Sequence, residues 1–190
     1  MDPRLDRWSG RLRSRRVTDF ALQFSPEEIE PLAARFGYTD DAICLEAGAA
    51  ARERGFYGRD EFLSVCRWKT PRSRSKVEIN DAATVERLTA RALAAADERQ
   101  RMETLIELAG VGVPTASTLL HFAFPEDYPI LDVRALESLG KRARSMYPVE
   151  FWLGYLHACR DLAMRYGVSI RTLDKALWQH SKEGGAAERK

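Results

Sequence analysis

The stretch that most constrains the fold is "LAGVGVPTA", at residues 108–116. Gly110 and Gly112 lack a Cβ, so the backbone can turn sharply there and another backbone can approach closely. An apolar helical pattern precedes the glycines, and Pro114 is tolerated in the first turn of a helix that follows them. The stretch therefore predicts two helices joined by a tight turn, with Thr115 as a candidate N-cap of the second helix.

Helical signals fill the rest of the chain. Apolar residues recur every three to four positions, and caps or glycines separate the runs. In "SPEEIEPLAARFG", for example, Ser25 is a candidate N-cap, Pro26 begins the helix and Gly37 ends it. No segment alternates convincingly between apolar and polar residues, so the sequence predicts an all-α protein. Residues 71–80 are expected to form a polar loop, and the tail from Gly184 is expected to fray.

Composition narrows the class of protein. The chain has 190 residues, of which 45% are hydrophobic and 31% charged, as in an ordinary globular protein. No run approaches the roughly 18 apolar residues that cross a bilayer, and the N-terminus is too charged for a signal peptide. Cys44, Cys66 and Cys159 fit neither a zinc spacing nor a disulfide framework, which predicts buried thiols. We therefore expect a cytoplasmic protein that does not contact membranes.

Basic residues are clustered although the net charge is only +2. Residues 1–16 are rich in arginine, and residues 67–76, "RWKTPRSRSK", contain no acid. A third cluster lies at residues 141–144. Local basic patches of this kind suit contacts with phosphate groups. Because the whole chain is rich in arginine, composition alone also explains the first cluster.

The predicted turn suits an anion. The first N–H groups of the second helix have no partner within that helix, and they point out of the turn. The glycines would let a phosphodiester approach without meeting a side chain, which fixes position on a nucleic acid but reads no sequence. An ordinary corner between two helices explains the same glycines.

Asp132 is the candidate for chemistry. It follows the next apolar helix and the loop "PEDYPIL", and it precedes the helical pattern "VRALESL". The commonest role of an aspartate in this position is a plain N-cap.

These motifs together resemble the helix-hairpin-helix DNA glycosylases of the endonuclease III and adenine-glycosylase type. In this sequence "LAGVGVPTA" is similar to their hairpin, "FAF" to the end of their apolar helix, and "ILDVR" to their aspartate motif. The resemblance is specific over residues 104–136. It implies a two-lobed helical bundle, in which residues 48–126 form the hairpin lobe and residues 1–47 and 127–190 form the second lobe. The stretch between Trp68 and the hairpin is shorter than in endonuclease III, which implies a shortened six-helix barrel.

The resemblance also implies an activity and its residues. The protein would be a monofunctional DNA N-glycosylase that flips a damaged or modified base out of DNA, with Asp132 as the catalytic carboxylate. The shortened barrel leads us to expect an open pocket and a bulky base. Trp68 would wedge into the base stack or form a wall of the base pocket; a tryptophan of the core or of the interface between the lobes is the alternative. The expected DNA contacts are Gly110, Gly112, Val113, Thr115, Lys69, Arg72 and Arg134.

Departures from the family determine the expected cofactors. Pro114 stands where the bifunctional enzymes have their lysine nucleophile, so we expect no strand cleavage; Lys69 is a weak substitute. No four-cysteine pattern follows, so we expect no iron–sulfur cluster and no required cofactor. The positions that match a monovalent cation site, for Na⁺ or K⁺, are the backbone carbonyls of Ile106, Leu108 and Val111.

The expected partner is DNA, bound by a monomer. The alternative is a non-catalytic helix-hairpin-helix protein that binds DNA and uses Asp132 only as a cap. A third possibility is a helical protein-interaction module in which the glycine turn is a corner. His121 and the aromatic residues Phe151, Trp152, Tyr155 and Trp178 are expected to belong to the core.

Overall fold

The computed structural model describes residues 20–38, 40–70 and 74–187, and every regular element in these ranges is helical. The prediction of an all-α protein is confirmed. A 3₁₀ turn, Pro26–Glu28, leads into the first helix. The helices are α1 (Ile29–Ala34), α2 (Ala42–Arg54), α3 (Arg59–Lys69), α4 (Arg74–Val77), α5 (Ala82–Ala94), α6 (Glu98–Leu105), α7 (Val113–Ala123), α8 (Val133–Glu137), α9 (Val149–Tyr166) and α10 (Ile170–Ala187).

Local sequence explains most helix boundaries. The Asp81 side chain accepts a hydrogen bond from the Thr84 N–H at 2.7 Å and begins α5, as an N-cap does. Helices α2 and α9 end at Gly55 and Gly167, whose φ angles are 91° and 66°. A residue with a Cβ is strained in that left-handed region, so glycine ends a helix there at little cost.

Two sets of helices pack around one core. Helix α2 packs on α3 and α7, α5 packs on α6, and α3 also contacts α7. In the second set, α10 packs on α1, α8 and α9, while α6 contacts α9 and so links the two sets. The boundary predicted between residues 47 and 48 lies inside α2.

Three local predictions were wrong. Residues 74–77 form α4 where a loop was expected, because they close one helical turn against α3. The N-cap of α7 is Gly112, and Thr115 is a buried residue of its first turn. Helix α10 continues beyond Gly184, because glycine is tolerated within a long helix at a cost of only about 1 kcal/mol.

The three cysteines have free thiols and are buried, as expected. Burial raises the pKa of the Cys44 and Cys66 thiols to about 12, so both stay protonated at neutral pH. Among the helices of the described ranges, none has the length and apolar character that crossing a membrane requires.

Candidate active site

A recess opens where the end of α3 meets the segment before α8 and the outer face of α10. The space not occupied by atoms is about 360 Å³ when the solvent at the mouth of the recess is included. Four of its nine lining residues are aromatic and three are charged. The lining residues are Phe36, Tyr38, Trp68, Lys69, Ile130, Asp132, Ala135, Asp174 and Trp178. This recess contains the predicted Asp132, Lys69 and Trp68.

Asp132 has two tasks, one for each carboxylate oxygen. Its Oδ1 accepts the Arg134 N–H at 2.9 Å and so caps α8. Its Oδ2 lies 2.8 Å from the Nζ of Lys69, the last residue of α3. The Lys69 side chain is only 10% exposed, and that of Asp132 is 29% exposed. The structure therefore joins the carboxylate to the amine that the sequence suggested as a phosphate contact and as a weak substitute for the family's lysine.

Lys69 keeps the carboxylate ionised. Burial by itself raises the pKa of Asp132, but attraction and a hydrogen bond from Lys69, together with the Arg134 N–H, outweigh it. The net result is a pKa below the usual value for aspartate. Asp132 is thus an anion at neutral pH although it is largely enclosed.

Three buried polar groups fix the short segment that carries Asp132. The Ile130 N–H donates to Asp174 Oδ1 at 3.0 Å, and the Ile130 carbonyl accepts the Tyr155 hydroxyl at 2.8 Å. The Leu131 N–H donates to Ser117 Oγ at 2.9 Å. These contacts come from α10, α9 and α7, so Asp132 is held by elements from both sets of helices.

Asp174 is a second carboxylate at the recess. Its side chain is 8% exposed, and Oδ2 lies 3.1 Å from an Arg171 nitrogen. Burial raises its pKa to about 6, although Arg171 and the Ile130 N–H partly oppose this shift. Sequence reasoning missed Asp174, since nothing in "RTLDKAL" separates it from any other helical aspartate.

Trp68 forms a wall of the recess. Its ring packs edge-on against Tyr38, at a centroid distance of 5.0 Å, and against Phe122, at 5.1 Å. Its Nε1–H is buried and has no hydrogen-bond partner among the described residues. Trp68 also packs against the hydrophobic core. Its position therefore fits a pocket wall or a packing tryptophan rather than a wedge.

Trp178 lies opposite, on α10. Its ring contacts Tyr38 and Phe36, each at a centroid distance of 5.2 Å. The guanidinium of Arg134 lies over the Trp178 ring at 5.4 Å, which is a cation–π geometry. The sequence assigned Trp178 to the core; instead it lines the recess, whereas Trp152 and Tyr155 are fully buried as expected.

The two hairpin glycines differ in what surrounds them. Gly110 has φ +75°, and a Cβ there would lie 2.7 Å from the Lys76 Cβ and 2.9 Å from the Val77 nitrogen. Close packing of the turn on α4 therefore explains Gly110. At Gly112, by contrast, a Cβ would meet only the Pro114 Cδ, at 3.8 Å. Gly112 is thus the glycine with open space beside it.

The remaining predicted hairpin contacts are buried. Val113 and Thr115 are each 6% exposed, so only their N–H groups at the start of α7 are candidates for binding a phosphate. Arg72, the basic cluster of residues 1–16 and Pro71 lie outside the described residues.

Asn80 clamps the turn from outside. Its Oδ1 accepts the Ala109 N–H at 2.9 Å, and its Nδ2 donates to the Ala109 carbonyl at 2.9 Å. No local sequence pattern indicates this role for Asn80. The neighbouring Leu108 carbonyl accepts the Val111 N–H at 3.1 Å. The chain's own hydrogen bonds hold this turn, and one of the three carbonyls predicted to bind a cation at Ile106, Leu108 and Val111 already accepts one of them.

His121 is a core residue, as expected. It is fully buried, and its Nδ1 lies 2.6 Å from the Tyr128 carbonyl oxygen. Burial lowers the pKa of His121 to about 3, so the imidazole is neutral and donates Nδ1–H to that carbonyl.

Comparison of the chain with protein-family models, with curated proteins and with solved structures found no match.

Proposed function

We propose that this protein is a DNA N-glycosylase that removes a damaged or modified base, with Asp132 as its catalytic carboxylate. The observation that supports this most is the ionised Asp132 beside Lys69 in a recess walled by aromatic rings. In this proposal α6, the glycine turn and α7 form a DNA-binding hairpin of a two-lobed helical bundle.

The carboxylate suits the chemistry of base release. Positive charge develops on the sugar as the N-glycosidic bond breaks, and a fixed negative charge nearby stabilises that state. Asp132 supplies the charge at neutral pH, because Lys69 and the Arg134 N–H hold its pKa low. Its segment is anchored by Asp174, Tyr155 and Ser117, so the carboxylate needs little reorganisation during the reaction.

The aromatic walls suit a flipped base. A base outside the duplex loses its stacking partners, and aromatic side chains replace part of that energy at about 1–3 kcal/mol per stacked base. Trp68, Tyr38 and Trp178 line the same recess as Asp132 and Lys69. In this proposal they receive the base while Asp132 faces the sugar.

The hairpin would hold the neighbouring phosphate. The open space beside Gly112 and the N–H groups at the start of α7 suit an approaching phosphodiester. Arg134, stacked on Trp178, is a further candidate for a phosphate contact at the mouth of the recess.

Base release from a panel of duplexes tests the proposal. The duplexes carry small bases such as uracil and oxidised purines, bulky alkylated or hypermodified bases, or undamaged bases, and strand breaks are measured after hot alkali. We expect the wild type to give breaks with at least one modified base, and Asp132→Asn to reduce the rate by about 10²- to 10⁴-fold.

The control is Asp161→Asn, which changes an exposed carboxylate on α9 and should leave the rate unchanged. Binding of the same duplexes is measured in parallel at several salt concentrations, because phosphate contacts weaken with salt. Salt-dependent binding without any base release would favour the non-catalytic DNA-binding protein. Equal rates for the wild type and Asp132→Asn would reject Asp132 as the catalytic group.

A further inference from the structure

A second cavity lies at the end of α7 that is remote from the glycine turn. The turn joins the end of α6 to the start of α7, whereas this cavity uses the first half of α6 and the segment after α7. Helix α7 has 11 residues, which corresponds to a length of about 16 Å. The lining residues are Arg52, Ala96, Glu98, Arg101, Phe124, Asp127, Tyr128 and Arg160, and none of them lines the recess.

One of the three arginines of this cavity, Arg160, is bound by neighbouring groups of the protein. Its Nη1 donates to Glu98 Oε1 at 2.8 Å, and its Nε donates to the Asp127 carbonyl at 2.9 Å. The guanidinium also lies over the Tyr128 ring, 5.1 Å from the centroid. The charges of Arg160 and Glu98 therefore offset each other.

Arg101 has no carboxylate partner of this kind. Its guanidinium lies over the rings of Phe124 and Tyr128, at 5.1 and 5.7 Å from their centroids. One of its N–H groups donates to the Ala95 carbonyl. Within the described part of the chain, no carboxylate pairs with Arg101 and no acceptor binds its other N–H groups. The rings thus fix a guanidinium at the wall of the cavity, and most of its five N–H donors remain for a ligand.

Arg52 contributes a second guanidinium to the same cavity. It lies in the last turn of α2, is exposed, and forms no ion pair with a described residue. Two positive charges that share a cavity repel each other, and an anion between them offsets this repulsion. Against Arg52 and Arg101 the lining has one further acid, Asp127, so the two arginines and one aspartate leave a net charge of +1.

We propose that this cavity is a binding site for a phosphate monoester, whose phosphate is held by Arg52 and Arg101. Planar guanidinium groups bind phosphate through paired N–H donors. A monoester carries between about 1.5 and 2 negative charges at neutral pH, whereas each phosphodiester of a DNA backbone carries one. The ligand is a free nucleotide or the phosphate at the end of a DNA strand. The site does not depend on the proposed glycosylase function, because it shares no residue with the recess or the glycine turn.

Calorimetric titration in a buffer without phosphate or sulfate tests this proposal. The probes are inorganic phosphate, deoxyadenosine monophosphate and dimethyl phosphate, which is a diester. We expect the first two to bind with a dissociation constant of about 1 mM or lower, because two guanidinium groups contact the same phosphate. Dimethyl phosphate has one negative charge fewer and should bind about fivefold more weakly.

Arg101→Gln and Arg52→Gln each remove one guanidinium. Hydrogen bonds to charged groups are stronger than those between neutral groups, so we expect each variant to bind phosphate about tenfold more weakly. The matched control is Arg165→Gln, which removes an exposed arginine from the last turn of α9, outside both cavities, and should keep wild-type affinity. Melting temperatures without ligand identify a variant that is misfolded. If Arg101→Gln loses its stacking and unfolds, the exposed Arg52 still provides the test.

Asp127→Asn changes the affinity in the opposite direction. It removes the acid that offsets part of the positive charge of the lining. We expect phosphate to bind this variant about two- to fivefold more tightly than the wild type, as the removal of a like charge at the surface predicts.

Oligonucleotides distinguish the two sources of the monoester. If a strand with a 5′ phosphate binds more tightly than the same strand with a 5′ hydroxyl, and Arg101→Gln abolishes the difference, the ligand is a DNA end. Equal binding of the two strands, with deoxyadenosine monophosphate bound, assigns the site to free monoesters.

Three results would overturn the proposal. They are no binding of phosphate by the wild type, wild-type affinity in both Arg52→Gln and Arg101→Gln, or an equal loss of affinity in Arg165→Gln. None of these titrations involves base release. A failure of the phosphate site is therefore distinguishable from a failure of the proposed glycosylase function.

Discussion

At the scale of single residues, Asp132 shows that a cap and a reactive group can be the same side chain. An N-cap aspartate uses one oxygen for the helix and leaves the other free. In this protein the second oxygen faces Lys69. The choice between a plain cap and a catalytic carboxylate, which the sequence left open, is therefore not a choice between exclusive roles.

The two roles are separable by substitution. Asparagine also caps helices, so Asp132→Asn keeps the Oδ1 contact to the Arg134 N–H but loses the negative charge. Alanine loses both. We expect both variants to lose base release to a similar extent, and Asp132→Ala to be less stable than Asp132→Asn by about 1 kcal/mol. Urea denaturation measures the stability of each variant, and the alkali assay measures its rate of base release. If the rates of the two variants differ by as much, in free energy, as their stabilities do, Asp132 acts only through the fold.

Sequence reasoning found Asp132, Trp68 and Lys69 because each lies within or beside a local pattern. It did not find Asp174, Tyr155 or Ser117, which anchor the Asp132 segment through contacts with residues distant in the chain. A buried hydrogen bond between distant residues produces no periodicity or spacing in the sequence. These anchoring residues can be identified only from the packing of the helices against one another.

At the scale of elements, the helices follow from local signals whereas the turns depend on packing. Asp81 and Asp132 cap helices, and Gly55 and Gly167 end them, as these residue types commonly do. The turn before α7 could not be predicted in this way, because Gly110 is required by close packing on α4, an element that the sequence did not predict. Whether this turn is an ordinary corner or a phosphate-binding loop depends on Gly112, which has open space beside it.

Replacing Gly110 and Gly112 by serine, one at a time, distinguishes close packing from phosphate binding. Gly110→Ser places a Cβ at positive φ and within 3 Å of α4, so we expect a loss of about 2 kcal/mol or more in the free energy of unfolding. Gly112→Ser meets open space and retains a good N-cap residue, so stability should change by less than about 0.5 kcal/mol.

The effect of Gly112→Ser on DNA affinity is the informative measurement. If a phosphate approaches the turn at Gly112, the added side chain displaces it, and affinity at low salt should fall about fivefold, the equivalent of one hydrogen bond of ~1 kcal/mol. Wild-type affinity in this stable variant would mean that the turn is an ordinary corner.

At the scale of the whole molecule, two buried groups in different places link folding to pH in opposite directions. The pKa of His121 falls from 6.5 to about 3, so the folded state binds fewer protons than the unfolded state and stability decreases as pH falls below 6.5. The pKa of Asp174 rises from 3.8 to about 6, so the folded state binds more protons and stability increases as pH falls from 6 towards 3.8. Between pH 5 and 6 the two effects oppose each other.

We therefore expect the free energy of unfolding of the wild type to be nearly constant between pH 5 and 6. Asp174→Asn removes one effect and should lose about 1 kcal/mol of stability when the pH is lowered from 6 to 5; His121→Asn removes the other and should gain a similar amount. Urea denaturation at the two pH values measures each change. Because every variant is compared with itself, the cavity or lost contact that a substitution creates cancels from the difference. If the free energy of unfolding changes equally between pH 6 and 5 in the wild type and both variants, neither His121 nor Asp174 titrates in the folded state as its surroundings predict. Asp174 would then not be a carboxylate with a raised pKa beside Asp132.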